Sequence, residues 1–314
     1  MISFRQHAIS IVAIFLALAI GVVLGSQTLA ADMLSGLRSD RTELSRRVEE
    51  YSARNRQLTD ELNAADRFIA GSVGRVLGGT LTGRSVVVFT TPDADPADVE
   101  SVIRGLETAG APVTGRLALT DAFLDSGEGD RMRAAMTNVI PAGAQLRTGA
   151  VDQGSMAGDL LGLVLLLDPG NGAPRSTPQE LSLVLETLRG GGFVAEADAP
   201  IAPAQLAVVI TGNGAKAAEN AQGANIARFT GALRGRGSGA ILAGRAGAAD
   251  DPGPIGVIRS DPAMAAAVTT VDNLDREIGR VTAVLGLTEQ LNGAAGRYGT
   301  GTRATSLTLA APPR

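Results

Sequence analysis

Hydrophobic and polar positions follow three regimes along the chain. The first is an apolar run: from Ala8 to Ala31 no residue is charged, and a helix of about 20 such residues crosses the hydrocarbon core of a bilayer. Residues 1–31 therefore read as a short tail and a transmembrane anchor. Only Arg5 and the amino terminus precede the run, and Thr28-Leu29-Ala30-Ala31 does not offer small residues at both −3 and −1 of a cut. An uncleaved signal anchor is expected, with a removed signal peptide as the alternative. Arg38, Arg41, Arg46 and Arg47 follow the span. Taken literally they would hold the body inside, but long domains cross despite such charge, and a short tail before a first span places the body outside. Within the span Ala13, Ala17, Gly21 and Gly25 recur every four residues. Such a stripe lets two helices pack closely in lipid, although Gly and Ala are common throughout this chain.

The second regime has a helical period. Leu34, Leu37, Arg41, Leu44, Val48, Tyr51, Asn55, Leu58, Leu62, Ala65 and Ile69 alternate by three and four, the a/d seam of a coiled coil. Residues 32–70 are predicted to be a coiled-coil stalk. Asn55 at an a position would fix register at a cost in stability, and Arg41 weakens the seam. Arg47 would face Ser52 and Arg54 would face Thr59, so flanking charges do not enforce self-pairing. The partner helix is either a second copy or another protein; one amphipathic helix lying on its own domain is the other reading. The small-residue stripe and the seam are about half a turn out of phase. Either the helix breaks near residues 25–28, or the two stripes meet different partners.

From about Arg84 the period changes again. Continuous apolar runs at 85–89, 113–119, 160–167, 206–210, 240–242 and 255–258 read as strands. Helical stretches at 96–109, 130–140, 177–189, from 211 to about 233, and 272–291 alternate with them. Runs that are apolar throughout belong to a mostly parallel sheet covered by helices on both faces. The expected fold class is α/β: an N-terminal transmembrane helix continuing into a coiled coil, then an α/β domain over 84–292. A second lobe after about residue 150 is an option, and 293–314 form a Gly/Thr-rich tail.

Composition limits the chemistry. There is no Cys, one His (His7) and a net charge of −4, with 3% aromatic residues. Thiolate chemistry, poly-His metal sites and a His-based triad in the body are excluded, and nothing favours a nucleic-acid partner. Thr211-Gly212-Asn213-Gly214-Ala215-Lys216-Ala217 matches G-x-G-x-x-A, but the acidic residue expected to hold a ribose is missing, so a tight glycine turn is the better reading. Asp93, Asp95 and Asp168 each follow an expected strand. They could bind a cation or act as acid and base, or merely cap turns. Met132 and Met136 share a helix face that core packing explains. No cofactor is expected and no enzyme activity is indicated.

The segments MISFRQHAISIVAIFLALAIGVVLGS, SVVVFTTPDA, VDQGSMAGDLLG, NAQGANIARF, GSGAILAGR, TTVDNLD, GRVTAVLGL and RYGTGTRATSLT resemble, from end to end, the actinobacterial MctB family with its corynebacterial relative SteB. The resemblance implies copper efflux and tolerance, through a pore of the outer membrane. On the SteB side it implies an envelope partner of the membrane protein SteA in control of peptidoglycan hydrolysis. A lipid-facing barrel needs strands of about ten residues with alternating polarity, and the runs here are shorter and uniformly apolar. The residues themselves favour a non-catalytic, single-pass envelope scaffold. The alternatives are a copper-efflux channel and a ligand-binding or enzymatic α/β domain using Asp93, Asp95 or Asp168.

Overall fold

A computed structural model describes residues 4–195 and 200–309, without the side chains of 4–5 and 26–40. It divides into two units, Met1–Ala65 and Asp66–Arg314. The first helix, α1 (Phe4–Leu77), is unbroken through residues 25–28. The break offered as one option for the phase mismatch is not found there.

In the first unit, Gln6–Gly25 has a mean hydropathy of 2.8 and none of its residues is buried. It is the one stretch among the described residues long and apolar enough to span a membrane. Further along, Glu43 accepts hydrogen bonds from Arg46 at 3.0 Å and Arg47 at 2.8 Å. These bonds hold its carboxyl below the usual carboxylate range. Such pairs one turn apart support an exposed helix. Leu44, Val48, Tyr51, Leu58 and Leu62 of the expected seam all stand in solvent, as does Asn55. The side chains of Leu34 and Leu37 lie outside the described residues.

In the second unit a six-stranded sheet, all parallel, has the order β2-β1-β3-β4-β5-β6. The strands are β1 (Val86–Thr90), β2 (Val113–Ala118), β3 (Leu206–Ile210), β4 (Gly239–Ala243), β5 (Thr269–Val271) and β6 (Arg297–Tyr298). Every residue of β1, β3 and β4 is buried, which is why these runs do not alternate in polarity. Val87, Phe89, Val209 and Leu242 enter one core; Val86, Val88, Val208 and Ile241 enter the other. The second core is roofed by α2 (Pro96–Thr108), α10 (Glu277–Leu291) and the end of α1, where Ile69, Val73 and Leu77 pack. Asp66 holds that end to Arg276 at 2.9 Å.

The first core is roofed by α3 (Asp121–Leu124), α4 (Gly129–Thr137), α5 (Gln153–Leu165), α6 (Pro178–Gly190), α7 (Gln222–Arg234), α8 (Pro254–Ser260) and α9 (Pro262–Ala267). Phe229 makes edge contacts with Phe89 and Phe123 at centroid distances of 5.2 and 5.3 Å. Fully buried Met132 and Met136 fill the same core.

Two expected strands are helices. Residues 160–167 belong mostly to α5, capped by Asp152 in a reciprocal box with Ser155. Gly154, Gly158 and Gly162 press α5 so closely on the α7 side that a Cβ would strike Asn225, Phe229 and Arg236. A helix buried all round loses its polar face, and a short apolar piece of it resembles a buried strand. Residues 255–258 lie in α8, where Pro254 occupies the first turn and pre-sets helical φ. The fifth and sixth strands lie elsewhere, at β5 and at β6 within the Gly/Thr-rich tail.

Candidate functional site

The strand order defines one crevice. From β1 the chain crosses to β2 through α2 over the second core; from the adjacent β3 it crosses to β4 through α7 over the first. The connections leave neighbouring strands toward opposite faces, and open α/β sheets bind ligands outside the carboxyl ends of such a pair.

Here the exit of β1 is Thr91-Pro92-Asp93 and the exit of β3 is Thr211-Gly212-Asn213-Gly214. Asp93 bridges them: it accepts hydrogen bonds from Thr91 Oγ1 at 2.5 Å, Thr211 Oγ1 at 3.3 Å and the Gly214 amide at 3.2 Å. A Cβ on Gly212 would overlap the Asp93 carbonyl, so glycine is what lets the two loops meet. Gly214 has φ +72. The G-x-G-x-x-A match is therefore a loop-packing motif, in keeping with the glycine turn expected there. Helix α7 begins only at Gln222, several residues past the glycines, so no helix N-terminus opens at the loop as a dinucleotide fingerprint requires.

Asp93, Thr211, Lys216 and Gln222 line a cleft of about 270 Å³ at this point, with Asp121 and Leu124 of α3 opposite. Lys216 Nζ is 3.6 Å from Asp121. Asn220 and Ala221, immediately before Gln222, both take left-handed backbone angles, φ 45 and 56. For alanine this conformation is costly, and such strain gathers at binding sites.

The other two expected carboxylates have different surroundings. Asp95 caps α2, accepting the Ala97 amide at 2.8 Å, and pairs with Arg245 at 2.7 Å. The amide first, and Arg245 after it, hold Asp95 below its ordinary value. Arg245 also grips buried Asp98 at 2.8 Å, and Arg280 grips Asp98 at 2.9 Å. Asp168 follows α5, beside the bridge Leu166–Ala204 that precedes β3. It stands at the opposite end of the sheet from Asp93. It accepts from the Gly170 amide at 2.8 Å and pairs with Arg175 at 3.1 Å; these two contacts, the amide first, lower its pKa. The three carboxylates do not converge. Among the described residues no group of three or more His, Asp or Glu side chains gathers as a metal site. Ala13, Ala17, Gly21 and Gly25 share one stripe of α1.

Sequence reasoning missed Lys216 and Gln222 as cleft residues and Asp98 as a charge centre. One signal was available for the first: Lys216 is the only lysine among 28 basic residues.

Fold and crevice together define a membrane-associated protein with a doubly wound α/β body. Over residues 1–309 the chain matches the family described as copper transport outer membrane protein, MctB. It is 42% identical over 312 residues to the copper transporter MctB of Mycobacterium tuberculosis (strain H37Rv), covering 98% of this chain and 99% of the relative. To the copper transporter MctB of Mycobacterium leprae it is 43% identical over 315 residues, with the same coverage. The chain belongs to the MctB family.

Proposed function

We propose that this chain is a non-catalytic, single-pass scaffold of the cell envelope. The apolar helix anchors it in the plasma membrane, the body lies outside, and the stalk recruits a partner helix. The observation that carries this reading is the row Leu44, Val48, Leu58 and Leu62, 63, 56, 40 and 53% exposed on the helix that follows the span. Apolar side chains in heptad register on an exposed helix gain by pairing. The partner is a second copy or a membrane protein of the SteA kind. The copper role in the relatives' names is exercised, in this reading, through that assembly. Two thioethers, Met132 and Met136, are spent in core packing. The sheet is parallel and covered on both faces, whereas the wall of a lipid-facing barrel alternates polar and apolar positions.

The test replaces Leu44, Val48, Leu58 and Leu62 with glutamine in the anchored protein. Loss of cross-linked dimer or of co-purified partner, together with loss of copper tolerance in cells, is expected. Unchanged recovery removes the stalk from the reading. Ion conductance by the purified protein in planar bilayers would instead establish the channel. Because the chain has no Cys, one cysteine placed in the tail reports topology: labelling by an impermeant maleimide in intact cells is expected, and protection overturns the orientation.

A further inference from the structure

We propose that the crevice at the exits of β1 and β3 binds a small zwitterion, the size of a free amino acid or a dipeptide. Nothing in the scaffold reading requires this, and no stalk residue takes part. Size comes first: about 270 Å³ falls just below the roughly 300–1,000 Å³ of clefts that hold drug-sized ligands. The floor is apolar, formed by Leu124, Ile226 and Pro254.

Around that floor stand groups of both charges whose bonding capacity is not used up. Gln222 is 9% exposed and lines the cleft, and its side-chain amide makes no hydrogen bond to any described residue. Its donor and acceptor are therefore unclaimed within the protein and open to a molecule in the cleft. Lys216 and Asp121, at 3.6 Å, are too far apart for a hydrogen bond, so both heads can take a ligand. Asp93 is held rigidly by donors from both loops and remains exposed to the crevice.

Two carboxylates can receive an ammonium, the lysine a carboxylate, and the Gln222 amide both a donor and an acceptor between them. One cation against two anions repels polyphosphates. The lining contains no aromatic side chain, so neither a base nor a sugar ring finds a stacking surface. A compact molecule carrying both charges, with small apolar substituents, satisfies every group.

The experiment uses the full-length chain in detergent micelles. Saturation-transfer NMR is run with alanine, valine, leucine, alanyl-alanine and alanyl-leucine, and with the N-acetylated and C-amidated form of each. At least one zwitterion is expected to bind with Kd of about 1 mM or tighter. Each capped form should bind roughly tenfold weaker, the loss of one charge-assisted hydrogen bond. Lys216→Met, at an exposed position, should weaken binding to a similar degree without moving Tm, and Gln222→Leu should abolish it. No binding by any zwitterion overturns the proposal. So does equal binding of the capped forms, or a Lys216→Met protein that binds as the parent does.

Discussion

Replacing Arg259 with leucine should unfasten the C-terminal end of the sheet. Arg259 and Asp272 are both fully buried and meet at 2.5 Å. The guanidinium also donates to Thr270 Oγ1 at 3.0 Å and to the carbonyls of Tyr298 at 2.8 Å and Thr302 at 3.1 Å. Asp272 in turn accepts the amides of Thr300 at 2.7 Å and Gly301 at 3.0 Å. The loop can wrap the carboxylate because a Cβ at Gly299 would collide with it. Burial draws the Arg259 pKa down and Asp272 opposes that, yet arginine stays charged throughout the working range. Leucine would leave a buried carboxylate with backbone donors alone and the Thr302 carbonyl without its donor, while the Tyr298 carbonyl would keep only the Asp272 amide. Breaking a buried pair from one side costs about 3–5 kcal/mol, a large part of a typical stability of about 5–15 kcal/mol. The double variant Arg259→Leu/Asp272→Asn removes the stranded charge and should recover about 1 kcal/mol or more through pair coupling. Urea unfolding of the full chain in micelles measures both variants, and amide exchange over 297–309 reports release of β6. A single variant within about 1 kcal/mol of the parent, with tail amides still protected, would refute the reasoning.

Three further outcomes are expected. For Asp159, burial raises the pKa, but the bonds from Arg236 and the Arg147 amide outweigh it, and the net shift is downward. A depressed folded-state pKa contributes stability above the unfolded value, lost as pH falls through the folded one. The urea midpoint should therefore hold from about pH 7 to 5 and drop below about pH 4, and Asp159→Asn should flatten that acid limb. Gly158→Val forces a side chain against the Phe229 carbonyl and should cost about 1–3 kcal/mol or more as α5 is pushed from α7, read as a fall in Tm. Asp152→Ala removes the cap of α5 and should cost about 1 kcal/mol, with faster amide exchange confined to the first turn of that helix.

The central strands were legible because burial on both faces makes β1, β3 and β4 uniformly apolar. Helix α2 was legible from its cap, Asp95, and α6 from Pro178 in its first turn. The edge strands were not. β5 is Thr-rich and β6 holds two residues, and both are held by partners far away in sequence, the Gly296 carbonyl to Thr270 and Arg259 to Tyr298. Helix α5 was hidden by its own burial. The candidate site was half legible: Asp93 stands where a strand exit should put it, but Lys216, Gln222 and Asp121 join it only through the order β2-β1-β3, which no local pattern encodes. Asp168 was misplaced because the strand it was thought to end is a helix.

All but one of the 28 basic residues are arginine, a bias that composition alone would assign to codon usage. The fold gives it a physical consequence. Arginine presents a planar fork of donors suited to carboxylates, where lysine offers a point charge. The buried carboxylates are taken up this way: Asp98 by Arg245 and Arg280, Asp159 by Arg236 and Arg147, and Asp272 by Arg259. Asp66, Asp95 and Asp168 have arginine partners as well. Acidic residues that look like candidate chemistry in the sequence are in this way spent on joining α1, α2, α10 and the loops to one another. At the crevice the pattern changes. Asp93 is held by hydroxyls and an amide, and Asp121 pairs with the single lysine at 3.6 Å, beyond hydrogen-bond length. Two carboxylates without an arginine partner thus stand where the strand order opens the sheet.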